Sequence, residues 1–280
     1  MPDFYEIADN LSEVEPGIWS SGSTAACSYP EDGQQVCFGL EDNSFWFRHR
    51  NNAVITAVKK FPPEGFILDV GGSNGYVTLG LKKSGFDVVL LEPGIEGLQN
   101  AKVRGLEPII CSTVADAGFK DHSIPAIGLF DVLEHIKDET RFLKGLKRIL
   151  VPNGRLYLTV PAYNALWSME DEYAEHFRRY TLSRIRKTLQ ICGYTTDYAT
   201  CLFSYLPIPV FFVRTLPFKL GLAKLYSGED HRRQHAVKSR LINSILSVLH
   251  KMELAMIEKE MRIPLGGSLL IIAHTEKGYE

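Results

Sequence analysis

The chain has 280 residues, 45% of them hydrophobic and 23% charged, with a formal net charge of −2. That balance excludes a disordered or fibrous chain, and the length can bury one full core, so one α/β domain with additions is expected rather than two equal domains. Near-neutrality supplies no global field for nucleic acid or an anionic membrane, and five scattered cysteines with no Cys-x-x-Cys read as reduced thiols of a cytoplasmic protein.

Taken in order, Met1 to Leu40 is rich in Gly, Ser and acids and reads as an irregular arm; its first residues lack the basic and apolar regions of a signal peptide. Ser44 is placed to cap a helix carrying Phe47, Val54, Ile55 and Val58, which Pro62 and Pro63 end. Phe66 to Val70 is an almost wholly apolar run, as in a strand buried on both faces. A turn with Gly71, Gly72 and Gly75 follows, then a helix of about ten residues stopped by Gly85. Phe86 to Leu91 is a second buried strand ending on Glu92. This strand–helix–strand unit puts its loop at the carboxyl edge of a parallel sheet, where open α/β sheets bind ligands.

The alternation continues with a helix over Ile95 to Arg104 closed by Gly105, and strands over Pro108 to Cys111 and Ile124 to Phe130. Phe142, Leu146 and Leu150 then mark one helix face. Pro152-Asn153-Gly154 is a turn before a fifth strand, Arg155 to Val160. A helix over Leu182 to Ile191 and a sixth strand over Tyr194 to Thr200 follow, while Ser268 to His274 is the last strand.

The glycines separate two cofactor classes. A dinucleotide fingerprint needs G-x-G-x-x-G/A, and from Gly71 this chain offers Ser73 and Tyr76 at the second and third positions. Asp69-x-Gly71-x-x-x-Gly75, with Glu92 23 residues beyond Asp69, instead resembles the first two motifs of the class I S-adenosylmethionine (SAM) methyltransferases, in their ubiquinone-type small-molecule subset. The resemblance implies a doubly wound, Rossmann-like α/β sheet of seven strands, six parallel and the last antiparallel. It implies SAM as cofactor, S-adenosylhomocysteine as product, and a small-molecule acceptor. Its binding residues would be Asp69, Gly71, Gly72, Ser73, Gly75, Glu92 and Pro93, then Thr113, Val114 and Asp116 in the place of the adenine loop, and Phe130 and Asp131. An ionised Glu92 suits the two ribose hydroxyls. Phe45-Trp46-Phe47-Arg48 is either a helix face packed on the sheet or, by resemblance, a cover that offers Trp46 and Arg48 to the cofactor.

Asp131, Glu134 and His135 resemble the Glu-x-x-Glu-His segment by which ubiquinone-pathway O-methyltransferases and small-RNA 2′-O-methyltransferases hold a divalent metal, with Asp131 one methylene shorter. The same segment shapes the pocket floor in members without a metal. That second reading is taken here, so no metal requirement is expected. His176 to Thr181 (His-Phe-Arg-Arg-Tyr-Thr) also resembles a feature of this subset. His176 is the main candidate for a general base, with His135 beside it; the alternative for His176 is a hydrogen-bonded side chain fixing the loop.

The family turns directly into its last strand after the sixth, whereas here 201–263 intervenes. The expected division is therefore an N-terminal arm and cap (1–60), a SAM-binding core (61–200), a helical and aromatic insertion (201–263), and the last strand with its tail (264–280). Phe203, Tyr205, Phe211 and Phe212 are expected to fold over the catalytic edge, in a run too interrupted by proline for the ~20 apolar residues of a membrane span. Ala236 to Glu260 reads as an amphipathic helix with Val237, Leu241, Ile245, Val248, Met252 and Met256 on its apolar face. Packing on its own lid, a homodimer contact and membrane contact all remain open for it. The basic cluster of His231, Arg232, Arg233, His235, Lys238 and Arg240 reads as a solvated face. The expected function is transfer of the SAM methyl group to an O, N or C atom of a small, partly apolar acceptor. The alternatives are a SAM-binding regulatory or partner subunit without turnover, and an NAD(P)-dependent reductase.

Overall fold

The computed structural model describes residues 2–23, 33–223 and 240–276. Its centre is the expected unit: β3 (Ile67–Val70), the loop, α4 (Tyr76–Lys83) and β4 (Val88–Leu91), with every residue of both strands buried. Alternation along these strands builds two cores. Ile67, Val88 and Ala126 face α3 (Phe45–Lys60) and α4, while Leu68, Val70, Val89 and Leu129 face α7 (Glu139–Ile149) and α9 (Leu182–Ile191). Ser44 caps α3 as expected, its side chain accepting from the Trp46 N–H.

The remaining core strands are β5 (Ile109–Cys111), β6 (Ile124–Phe130), β7 (Leu150–Pro161), β8 (Tyr194–Leu202) and β9 (Ser268–Thr275). Their order is β5-β4-β3-β6-β7-β9-β8, with β9 antiparallel to both neighbours and the other six parallel in direction. The expected turn at Pro152-Asn153-Gly154 lies within β7 as an irregularity: the register along β6 jumps from Leu150 to Arg155, and Asn153 has a left-handed φ of 62°.

The sheet has nine strands, not seven. The arm contributes α1 (Phe4–Ile7), the hairpin β1 (Ser12–Glu15) and β2 (Ile18–Ser20), and α2 (Gly33–Glu41). β2 adds to the sheet parallel to β5, and Trp19 packs on Phe4 at 4.8 Å between ring centroids. Every residue of β1 is exposed, so no apolar alternation announces it.

The insertion starts with a helical stretch made of α10 (Pro207–Val210), a π turn (Phe211–Thr215) and α11 (Leu216–Lys219). It ends with α12 (Arg240–Glu258), which packs on α3. Here the structure reverses the expected face. Ile245, Val248 and Met252 are more than half exposed, while Leu246, Glu253 and Ile257 are buried. Val237 lies outside the described residues, as does most of the basic cluster. Glu253 explains the reversal: its carboxylate accepts from the N–H groups of Phe203 (2.9 Å) and Ser204 (2.7 Å), from the Ser204 hydroxyl (2.6 Å), and lies 2.8 Å from His49 Nε2. His250 stacks on His49, ring centroids 3.8 Å apart, with its Nε2 2.7 Å from the Tyr205 hydroxyl. Burying this polar face satisfies two backbone donors that would otherwise be orphaned, so the apolar stripe opposite is left outside. No helix among the described residues is long and apolar enough to cross a membrane.

Burial alone would raise the Glu253 carboxyl, but the hydrogen bonds from His49, Ser204 and Phe203 bring it down to about 2. A carboxyl depressed on folding stabilises above its unfolded value and loses that contribution as pH falls through the folded one. Stability should therefore fall as acid is added from about pH 4.5 to about 2. Glu253→Ala should cost on the order of 3 kcal/mol in chemical denaturation, and should flatten that part of the pH profile.

Candidate active site

The carboxyl ends of β3, β4, β6 and β7 open into a cavity of about 500 Å³. Its first wall is the glycine loop. Gly71, Ser73 and Gly75 adopt φ of 68°, 48° and 71°. Ser73 thus holds a conformation that glycine takes without penalty, and its N–H donates to Glu92 Oε2 at 2.8 Å. Gly72 has no room for a side chain: a Cβ there would meet Leu90 Cδ1 at 2.4 Å and Asp69 Oδ2 at 2.7 Å. Glu92 also accepts from the Gly94 N–H (2.8 Å) and from Gln34 Nε2 (3.2 Å).

Asp69 is fully buried on this wall. Its Oδ2 accepts from the Thr78 hydroxyl at 2.5 Å, while its Oδ1 is buried with no hydrogen-bond partner. Burial pushes its carboxyl up to about 6 against the Thr78 hydrogen bond and the Arg50 charge. Glu92 is raised in the same way by burial, offset by the Gly94 and Ser73 N–H groups.

Of the expected binding residues, Trp46, Asp69, Gly71, Gly72, Ser73, Glu92, Pro93, Thr113, Val114, Phe130 and Asp131 line the cavity. Gly75, Arg48 and Asp116 do not. Gly75 is structural, caps α4 and sits against Leu106. Asp116 is turned onto Thr113, whose hydroxyl donates to its Oδ2 at 2.7 Å. Arg48 is exposed, and Arg50 stands in the wall instead. Helix period explains this: Trp46 and Arg50 are i and i+4 on one face, and the guanidinium lies 4.8 Å from the Trp46 ring centroid. Arg50 forms an ion pair with Asp131, whose Oδ1 accepts from the Thr159 hydroxyl at 3.0 Å.

The arm supplies a wall the sequence did not disclose. Gln34, Cys37 and Glu41 of α2 line the cavity, and α2 is tied down by Asn74 Nδ2, which donates to the Gln34 carbonyl (2.9 Å) and to Glu41 Oε1 (3.2 Å). The expected aromatic cover also differs. Leu206, Val210 and Arg214, at i, i+4 and i+8, line the cavity. Phe203 is buried against Trp46, stacked at 5.6 Å, while Phe212 points outward. Arg214 closes this side by an ion pair with Glu170.

Opposite the glycine loop lie Glu134, His135 and His176. His176 Nδ1 is 2.9 Å from Asp171 Oδ1, and Asp171 is fully buried, accepting also from Arg179 Nε (2.7 Å) and the Ser168 N–H (2.9 Å). Burial would raise Asp171, but His176 and Arg179 hold it below its ordinary value, so it is a carboxylate. The His135 ring meets His176 edge-on, centroids 4.8 Å apart; burial first and then His176 push His135 down to about 4. Glu134 is pushed well up by burial and by Asp131. One potential ligand atom each from Glu134, His135 and His176 lies within 4.8 Å of the others. The structure therefore groups His176, rather than the arginine-paired Asp131, with the two expected residues.

Residues 46–199, more than half of the chain, match the methyltransferase-domain family. The chain belongs to the class I SAM-dependent methyltransferases. A ubiquinone biosynthesis O-methyltransferase of Pectobacterium carotovorum is 28% identical over 117 residues, 39% of this chain and 49% of that protein. The chain thus spans about half the length of the curated relatives it matches. Two solved structures share the fold. One is a chain of the complex between the Haloferax volcanii Trm112 methyltransferase activator and a methyltransferase, with TM-score 0.59, 17% identity, and coverage of 91% of this chain and 100% of that one. The other is Haemonchus contortus phosphoethanolamine N-methyltransferase 2 with SAM, with TM-score 0.53, 16% identity, and coverage of 92% and 61%.

The cavity residues fit SAM, the cofactor of this methyltransferase family. The unpartnered Asp69 Oδ1 supplies a buried acceptor, and the Gly71–Gly72 backbone leaves open the approach that a side chain would block.

Without ligand, Asp69 should lower stability as pH rises. Its folded value near 6 exceeds the unfolded 3.8, so the folded state holds the extra proton across that window and loses stability toward pH 6. Asp69→Asn should remove a slope of roughly 2–3 kcal/mol between these limits, read from urea midpoints at stepped pH.

Proposed function

We propose that this methyltransferase transfers the methyl group of SAM to a hydroxyl oxygen of a small acceptor with apolar surface. The observation that carries the reading is the His176–Asp171 pair on the cavity wall. A buried carboxylate facing Nδ1 keeps the proton on that nitrogen and leaves Nε2 as the basic one. That is the state required to take a proton from an acceptor arriving as an alcohol or phenol. Bound SAM supplies a sulfonium whose methyl carbon is already electrophilic. The chain's own work is to align and to exclude water. Glu92 and Asp69 present carboxylates to the donor, Trp46 and Arg50 cover it, and the Leu206–Arg214 stretch shuts the acceptor side. Phe142, Leu166, Leu206 and Val210 make that side apolar.

This reading assigns donor binding to 61–200 and acceptor choice to the insertion, 201–263. The O-methyltransferase relatives favour oxygen over nitrogen or carbon as the acceptor atom. The free thiols of Cys37, Cys111, Cys192 and Cys201 suit a reducing compartment such as the cytoplasm. A second reading, a SAM-binding partner subunit without turnover, draws on the solved neighbour found with an activator.

Calorimetry with SAM, S-adenosylhomocysteine and NADH tests the donor: SAM and its product should bind and NADH should not. Glu92→Ala should weaken SAM by about 1.5–3 kcal/mol, ten- to a hundredfold or more. Preference for NADH would overturn the assignment.

Once an acceptor is found, His176→Ala should lower turnover about 10²- to 10⁴-fold with SAM affinity unchanged; a wild-type chain that binds SAM but never turns over would favour the partner-subunit reading. Activity should survive a chelator. Loss restored by Mg²⁺ or Mn²⁺ would instead make Glu134, His135 and His176 a metal site.

A further inference from the structure

The near-neutral chain conceals a strong asymmetry. From Leu202 to Met252 the sequence has eight lysines and arginines against two acids, the adjacent Glu229 and Asp230, a net of +6; the rest of the chain stands at −8. The same part of the chain exposes large apolar side chains. On the helical stretch that closes the cavity, Leu206, Val210 and Arg214 face inward, while Phe212 and Val213 are 61% and 72% exposed and Leu220 and Leu222 follow at 62% and 72%. On α12, Ile245, Val248 and Met252 form the stripe left outside by the burial of Glu253, at 52%, 58% and 58% exposed.

Single exposed apolar residues are ordinary, but two groups of them on one insertion are not. The remaining question is what covers them. A second copy of the chain would bring two +6 insertions together. Coulomb repulsion between like-charged faces opposes that contact, and nothing acidic on either exposed face offsets it. An anionic lipid surface offers what both features need: acyl chains for the apolar side chains and phosphates for the basic ones.

We infer that the insertion is a docking surface for an anionic lipid bilayer, on which the chain lies without spanning it. The stretch that touches the bilayer also forms the acceptor-side wall. Docking therefore puts the cavity mouth against the phase in which an apolar acceptor dissolves. That last step rests on the methyltransferase reading; the docking itself does not.

The test is co-sedimentation of the full chain with vesicles of phosphatidylcholine containing about one-third phosphatidylglycerol, beside vesicles of phosphatidylcholine alone. Binding to the anionic vesicles should be roughly tenfold tighter or more, and should weaken as salt rises. Two double variants, Phe212→Ser with Val213→Ser and Ile245→Ser with Val248→Ser, should each lose about tenfold in vesicle affinity. Both should keep the wild-type melting temperature and SAM affinity, because the altered side chains project into solvent. Absence of vesicle binding by the wild type would overturn the inference, as would variants that bind as well as it does. A concentration-dependent dimer in sedimentation that Ile245→Ser with Val248→Ser abolishes would assign the stripe to a second copy instead. Wild-type chain that binds vesicles but not SAM would strike the methyltransferase reading and leave the docking surface intact.

Discussion

The site depends on one carboxylate at the end of β4. Glu92 accepts the Ser73 N–H of the glycine loop, the Gly94 N–H leading into α5 (Ile95–Val103), and the Gln34 amide of α2. Three segments far apart in the chain converge on two oxygens. A buried carboxylate with such partners is tolerated because each hydrogen bond offsets part of its desolvation. It also sets the loop: Ser73 accepts a left-handed φ where its N–H gains a charged acceptor. The walls of the cavity are thus braced from the point at which the resemblance places the cofactor ribose.

A second carboxylate, Glu253, does the same for the opposite side. It joins α12 to the backbone where the chain leaves β8 and to His49 of α3, the helix that presents Trp46 and Arg50 to the cavity. The donor-side cover and the acceptor-side stretch therefore share a buried anchor outside the cavity. The anchor also dictates which face of α12 meets solvent, and so creates the exposed stripe.

The acceptor side is organised by ionisation. Asp171 stays charged because Arg179 and His176 surround it, whereas Glu134, one residue from His135, is pushed toward its neutral form by burial and by Asp131. Carboxylates in two environments thus take opposite states within one cavity. The arrangement leaves an oriented imidazole beside a neutral one, the chemistry of proton removal from an acceptor.

Local chemistry was enough to read the core from sequence. Apolar runs such as Ile67–Val70 need burial on both faces wherever they lie, Gly71 and Gly75 mark left-handed turns, and Asp69 with Glu92 marks two strand ends. The candidate base His176 and the cavity residues from Asp69 to Asp131 were legible for the same reason. Other features depend on partners distant in sequence. The hairpin Ser12–Ser20 is too short and exposed to show a period, and becomes strand only because the edge of β5 has unpaired backbone groups. Arg50 rather than Arg48 enters the site because helix phase is set by α3 packing on the sheet. Asp171 is a catalytic orienter only by its distance to His176. The outward stripe of α12 was decided by Glu253, since two buried backbone N–H groups can be satisfied from one side of that helix, and leaving them unpaired costs more than leaving three apolar side chains in water.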